Sequence, residues 1–238
     1  MRDDLRVAGL LPAAQPYASA PFSYNGTEQL QAVVSGVNGQ DAVVDWVLLE
    51  LYAPDTLALV AQRAAVLQRD GDVVDAASGK VVINFPAVTP GAYRVGLRHR
   101  NHQSVLTATA PELGTNTVTL VDFSNAATAV TGEHARLQVG SLMVLRGGDG
   151  NQDGRLIAGG VGNDSNSVLE NVLTAPGNAG YNSSYRLSAY LSSDFNLDGE
   201  TLYAGPGNDV NLLIYNVLVH PLNVENANNF IVTSASGW

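Results

Sequence analysis

Asp149-Gly150-Asn151-Gln152-Asp153-Gly154 and Asp194-Phe195-Asn196-Leu197-Asp198-Gly199 each place acid, amide and acid at alternate positions with a glycine after the third, 45 residues apart. Alternate oxygen side chains in such a run turn toward one focus. The glycine permits the sharp turn that brings the next carbonyl to the same point. This is chemistry for a hard cation, since Ca²⁺ takes about six to eight oxygens at roughly 2.3–2.6 Å. The first set would be Asp149, Asn151, Asp153 and the carbonyl of Arg155; the second would be Asp194, Asn196, Asp198 and the carbonyl of Glu200.

Both runs lead at the same offset into Gly-x-Gly-Asn-Asp, at 160–164 and 205–209, and then into Asn171-Val172-Leu173 and Asn216-Val217-Leu218. Over 149–174 and 194–219, 12 of 26 positions are identical, so the unit is duplicated and two Ca²⁺ sites are expected. Asp, Asn and Gly also favour plain Asx turns; it is duplication of the whole pattern that argues for metal. An EF-hand closes with a carboxylate at its twelfth position, where this chain has Gly160 and Gly205, so an ordinary EF-hand is excluded. The next acid shared by both copies, Asp164 and Asp209 at position sixteen, is assigned the closing role. Asn163 and Asn208 before them read as N-caps of the helices that follow.

These loops need a scaffold, and 238 residues with 45% apolar content can bury one. From 28 to 131 the pattern is strand after strand: Ala42–Leu51, Leu59–Leu67, Val81–Phe85, Tyr93–Arg98 and Val118–Phe123, separated by Gly, Pro, Asn and Asp. Such spacing predicts an antiparallel Greek-key β-sandwich with Trp46 in its core, and Gln68–Asp72 as a hairpin turn. Residues 132–238 then form the duplicated loop-helix domain, whose two units pack as a pseudo-symmetric pair and end in a short strand over Asn229–Thr233. Having few large apolar residues, that domain is expected to depend on metal for stability. Residues 1–27 read as a connector: one or two helical turns over Asp3–Ala8, then chain held extended by Pro16, Pro21 and Gly26. The apolar face of so short a helix (Leu5, Leu10, Leu11) cannot stand alone in water, so it docks on this domain or on a neighbour.

Composition excludes several classes. The net charge of −10, with 22 acids, 12 bases and Lys80 the single lysine, speaks against nucleic acid as a partner. No apolar run is long enough to span a membrane. Without cysteine there is neither a disulfide framework nor a Cys-based zinc site. Nucleophile elbows, P-loops and H-E-x-x-H are missing, and coordination accounts for the acids of the loops, so a non-enzyme is expected. The one dense polar cluster elsewhere is Arg98-His99-Arg100-Asn101-His102. Strand alternation would put its histidines on opposite faces, and Asp70, Asp72 or Asp75 are its expected partners.

Residues 42–51, 68–75 and 98–102 resemble a module near the C-terminus of large secreted or surface proteins of Bacteroidetes-type bacteria. Ser193-Asp194-Phe195-Asn196-Leu197-Asp198-Gly199, continued through Gly207–Asn211 to His220-Pro221, resembles the dockerin-like tail of the same proteins. The likeness covers most of residues 1–232. It implies an extracellular or cell-surface, multidomain origin in which Met1 is internal to a longer precursor, and no basic sorting tail follows in Ser234–Trp238. Dockerins plug two calcium loop-helix units into a partner's sandwich; the loops here are four residues longer, which favours a structural role for the metal. The expected function is therefore a calcium-stabilised structural module, self-associating or packing on neighbouring domains as a fibre or surface-layer subunit. A head-to-tail contact made by 1–27 would let it propagate. The alternative is a glycan- or protein-binding module of a large surface protein.

Overall fold

The β-branched run at 42–51 forms the central strand of the computed structural model, which describes residues 1–233. The tail Ser234–Trp238 lies outside the described residues. Strand β1 (Val43–Tyr52) pairs antiparallel with β2 (Leu59–Gln68) on one side and with the strand Arg94–Arg98 on the other, so that Leu48 faces Ala64 and Arg98. The edges are short: β3 (Val73–Val74) beside β2, and Val105–Leu106 beside Arg94–Arg98. This five-stranded antiparallel sheet curls into a half-barrel.

β1 is buried along nearly its whole length because both faces of the sheet are covered. Trp46 and Leu48 point to one side with Ala64 and Val66, beneath Tyr17 and the partly buried Leu11 and Phe22 of the N-terminal segment. Val47, Ala65, Leu97 and Val105 point to the other, beneath Ile83, Phe123, Val130 and Leu145. That burial explains why the run reads as continuously apolar instead of alternating.

What covers the second face is irregular chain with two-stranded ribbons, not a second broad sheet. Val81–Phe85 and Val118–Phe123, expected as strands, are not strands. Ile83 and Phe123 supply side chains to the core while Val118 and Leu120 stand 75% and 87% exposed. β propensity needs an open ladder to act on, and here Val105–Leu106 takes the place beside Arg94–Arg98 while the Asp122 carboxylate turns the chain by accepting from Ser124. The Gln68–Asp72 hairpin forms as expected, closed by Gln68 N–H donating to the Asp72 carbonyl over Gly71 at φ 106°.

The N-terminal segment docks on its own domain. Helix α1 (Asp4–Val7) buries Leu5 completely, the Trp46 indole N–H donates to the Pro12 carbonyl (2.9 Å), and the Tyr17 hydroxyl donates to the Trp46 carbonyl (2.7 Å). A second single-turn helix, α2 (Ala32–Ser35), adds Val34 to the same core. Tyr17→Phe removes one buried hydrogen bond while keeping the ring. A loss of about 1 kcal/mol in unfolding free energy is expected, with an unchanged denaturant slope, measured by urea titration.

Beyond the sheet, α3 (Ser165–Thr174) and α4 (Asp209–Leu218) share a core of Leu156, Val168, Phe195, Leu213, Val217 and Val232. The two-residue strands around them are exchanged between the repeats. Arg155–Leu156 of the first loop pairs with Val232–Thr233, which follows α4, and Glu200–Thr201 of the second loop pairs with Leu187–Ser188, which follows α3. Each pair of partners is thus the 45-residue image of the other, and the repeat extends well past the helices. No helix among the described residues is long and apolar enough to cross a membrane.

Candidate metal centre

The two acidic loops fold into the same hydrogen-bond lattice. Asp149 accepts from the N–H groups of Asp153 (3.1 Å) and Gly154 (3.0 Å), and Asp194 accepts from Asp198 (3.2 Å) and Gly199 (3.0 Å). The amide oxygens of Asn151 and Asn196 take the same Asp153 and Asp198 N–H groups, and Asp153 and Asp198 accept from Arg155 and Glu200. Left-handed backbone at Gln152 and Leu197, φ 62° and 59°, followed by Gly154 and Gly199 at φ 78° and 84°, tightens both turns alike.

Position sixteen closes each loop. Asp164 Oδ1 accepts from Gly150 N–H (3.0 Å) and its Oδ2 from Ile157 N–H (2.9 Å); Asp209 does the same with Phe195 (2.7 Å) and Leu202 (2.9 Å). Each of these carboxylates thereby ties the start of its loop to its end through backbone N–H groups. Asn208 caps α4 as expected, accepting from Asn211 N–H (2.9 Å), whereas α3 has Asp164 at its N-cap and Asn163, one residue earlier, accepts from Asn166 N–H (3.1 Å). Arg155 and Glu200, expected to lend carbonyls, begin the exchanged strands.

Asp164, Asp194 and Asp209 have no solvent exposure, and Asp149 has 7%. Burial pushes the Asp149 and Asp164 carboxyls up to about 7, with the neighbouring loop carboxylates raising both further against the backbone hydrogen bonds. Asp209 is likewise raised to about 7 and Asp194 to about 6, the latter held back by the Arg100 guanidinium. Among the described residues no three His, Cys, Asp or Glu side chains are drawn together as a finished metal cage. The set is all oxygen, with Asp149, Asp164, Asp194 and Asp209 buried and Asn151 and Asp153 open to solvent, and a carboxylate oxygen with one or two N–H partners still has acceptor capacity. Such donors fit Ca²⁺ and do not fit a soft metal.

The polar cluster at 98–102 proves to be the bolt between sheet and loops. Because the strand ends at Arg98, alternation stops there, and the His99 and His102 rings meet edge to face at 4.7 Å instead of facing apart. Its partner is Asp45, not Asp70, Asp72 or Asp75. Asp45 accepts from Arg100 Nε (2.9 Å), the Tyr190 hydroxyl (2.7 Å) and Trp46 N–H (2.7 Å), with His99 Nε2 at 3.1 Å. Asp75 instead pairs with Arg63, and Asp70 caps the hairpin through Asp72 N–H. Asn101 reaches both loops: its carbonyl accepts from Asp149 N–H (3.0 Å), and its side-chain amide donates to the Asp194 carbonyl. Sequence reasoning missed Asp45, Arg100 and Tyr190 as a unit. The available signal was a lone acid inside the apolar strand run Val43-Val44-Asp45-Trp46, which burial obliges to find partners.

Comparison with protein-family models, curated proteins and solved structures returned no match.

Proposed function

We propose that the chain is a non-catalytic, calcium-stabilised structural module of an extracellular or cell-surface assembly, each acidic loop holding one Ca²⁺. The observation that carries this reading is the repetition of one lattice around four buried carboxylates, Asp149, Asp164, Asp194 and Asp209. Bound Ca²⁺ would supply positive charge beside the four buried carboxylates. Asp149, Asn151, Asp153, Asp164 and the Arg155 carbonyl would hold it in the first loop; Asp194, Asn196, Asp198, Asp209 and the Glu200 carbonyl would hold it in the second. The backbone N–H groups on Asp164 and Asp209 orient those carboxylates in advance. The exchanged strands tie each loop to the other repeat, so both ions would stiffen one shared core.

The assembly part of the proposal rests on the resemblance of residues 42–51, 68–75, 98–102 and 193–221 to segments of large surface proteins, and not on a Greek-key sandwich, whose second sheet is replaced by irregular chain and ribbons. It does not keep residues 1–27 as a free docking arm, because Tyr17 belongs to the sheet's own core, with Leu11 and Phe22 packed against it, and Leu5 is already buried. Deleting 1–27 is expected to unfold the sheet. Calorimetric titration of the purified chain with CaCl₂ should show uptake of two ions and a raised melting temperature, each site adding about 3 kcal/mol at a hundredfold excess over its Kd. Electron microscopy should show regular polymers in calcium and none in chelator. Absence of calcium uptake sinks the metal reading; a monomer at high concentration in calcium turns the function to the binding module.

A further inference from the structure

The two loops share a lattice but not an electrostatic setting, and one buried residue makes the difference. The Arg100 side chain is 4% exposed; its Nε serves Asp45, its Nη1 donates to the Leu191 carbonyl, and its ring of charge lies 4.4 Å over Tyr190. Its Nη2 makes no hydrogen bond and points into the second loop, 3.7 Å from Asp194 Oδ2. The first loop meets the same residue through its neutral end: Gln152 donates to the Arg100 carbonyl (2.9 Å). No basic side chain bonds Asp149, Asp153 or Asp164 among the described residues.

We infer that Arg100 is a built-in counter-charge that makes the loops unequal cation sites, the first loop binding Ca²⁺ tightly and the second, partly neutralised by the guanidinium, binding it more weakly. This rests on the calcium reading proposed above. The position-seven residues carry charge in the opposite sense, Arg155 beside the first loop and Glu200 beside the second. Arg155 is exposed and Glu200 is paired with Arg186, so both act through screening solvent. Arg100 acts from the interior: Asp45 on its Nε offsets part of its charge, but the Nη2 edge faces Asp194, and a partial charge at that range in a buried site still changes the affinity of a divalent ion by about tenfold. The consequence is a division of labour. Both loops are tied to the sheet through Asn101, and bound metal adds more to the first loop than to the second.

Calorimetry of the full chain with CaCl₂ tests this. The wild type should bind in two steps separated by about tenfold or more in Kd; Asp153→Asn should remove the tight step and Asp198→Asn the weak one. Arg100→Met should tighten the weak step toward the strong one, and Arg100→Lys, which keeps the charge, should leave the gap open. If Arg100→Met does not fold, the two loop variants still assign each step to its loop. Equal affinities, or a tight step that disappears with Asp198→Asn, overturn the inference while leaving the calcium reading intact. No uptake by any chain overturns both.

Discussion

Asp45→Ala should cost about 3–5 kcal/mol of unfolding free energy, the range for removing one partner of a buried ion pair and stranding the other. Arg100 would lose the hydrogen bond from its Nε to this carboxylate, and Tyr190 and Trp46 N–H would lose the same acceptor. Because Asp45 lies at the junction of sheet and loops, the loss should appear in both at once, as a single weakened transition. Burial alone would push this carboxyl up, but the Arg100 guanidinium, with hydrogen bonds from His99 and Tyr190, outweighs it and holds the group well below the usual carboxylate range. A carboxyl with a depressed folded pKa contributes stability that is complete above its unfolded pKa, about 3.9, and is lost only as pH falls below that. The Asp45→Ala penalty should therefore be the same at pH 8 and pH 5 and shrink in stronger acid. Denaturant melts across that range check it; a penalty below about 1 kcal/mol at neutral pH would show that the cluster is a bystander.

The comparison of residues with structure shows where local chemistry is enough. β1, β2, the Gln68–Asp72 turn and the cap at Asn208 were legible because each depends on neighbours in sequence: an apolar run, a turn residue, an amide one helical turn from its N–H partner. The equivalence of the two loops was legible because the pattern is written twice, while the backbone N–H partners of their carboxylates were not. Val118–Phe123 misled because propensity does not say whether a sheet edge is vacant, and Leu120 has none to join. Arg98–His102 misled for a related reason. Its partners Asp45, Tyr190 and Asp194 are distant in the chain, and where a strand ends decides which way its side chains turn. The exchange of Val232–Thr233 and Leu187–Ser188 between repeats is long-range in the same sense.

Asp209→Ala should remove one of the two calcium ions and cost about 4 kcal/mol or more of stability. The carboxylate accepts from the N–H groups of Phe195, Asn196 and Leu202, and its loss leaves buried donors unpaired at about 1–3 kcal/mol each. Asp164→Ala, which strips Gly150, Asn151 and Ile157 of the same partner, should do likewise in the first loop. Neighbouring Asn211 is the control: Asn208 uses its backbone N–H, so Asn211→Ala should change stability by no more than about 0.5 kcal/mol and leave the stoichiometry at two. Measuring both loop variants in calcium and in chelator separates staple from ligand. The hydrogen bonds are lost in either condition, whereas coordination is lost only where calcium is present, so the Asp209→Ala penalty should be larger in calcium. An equal penalty in the two conditions, with two ions still bound, would leave position sixteen a structural staple alone and place the closing ligand elsewhere in the loop.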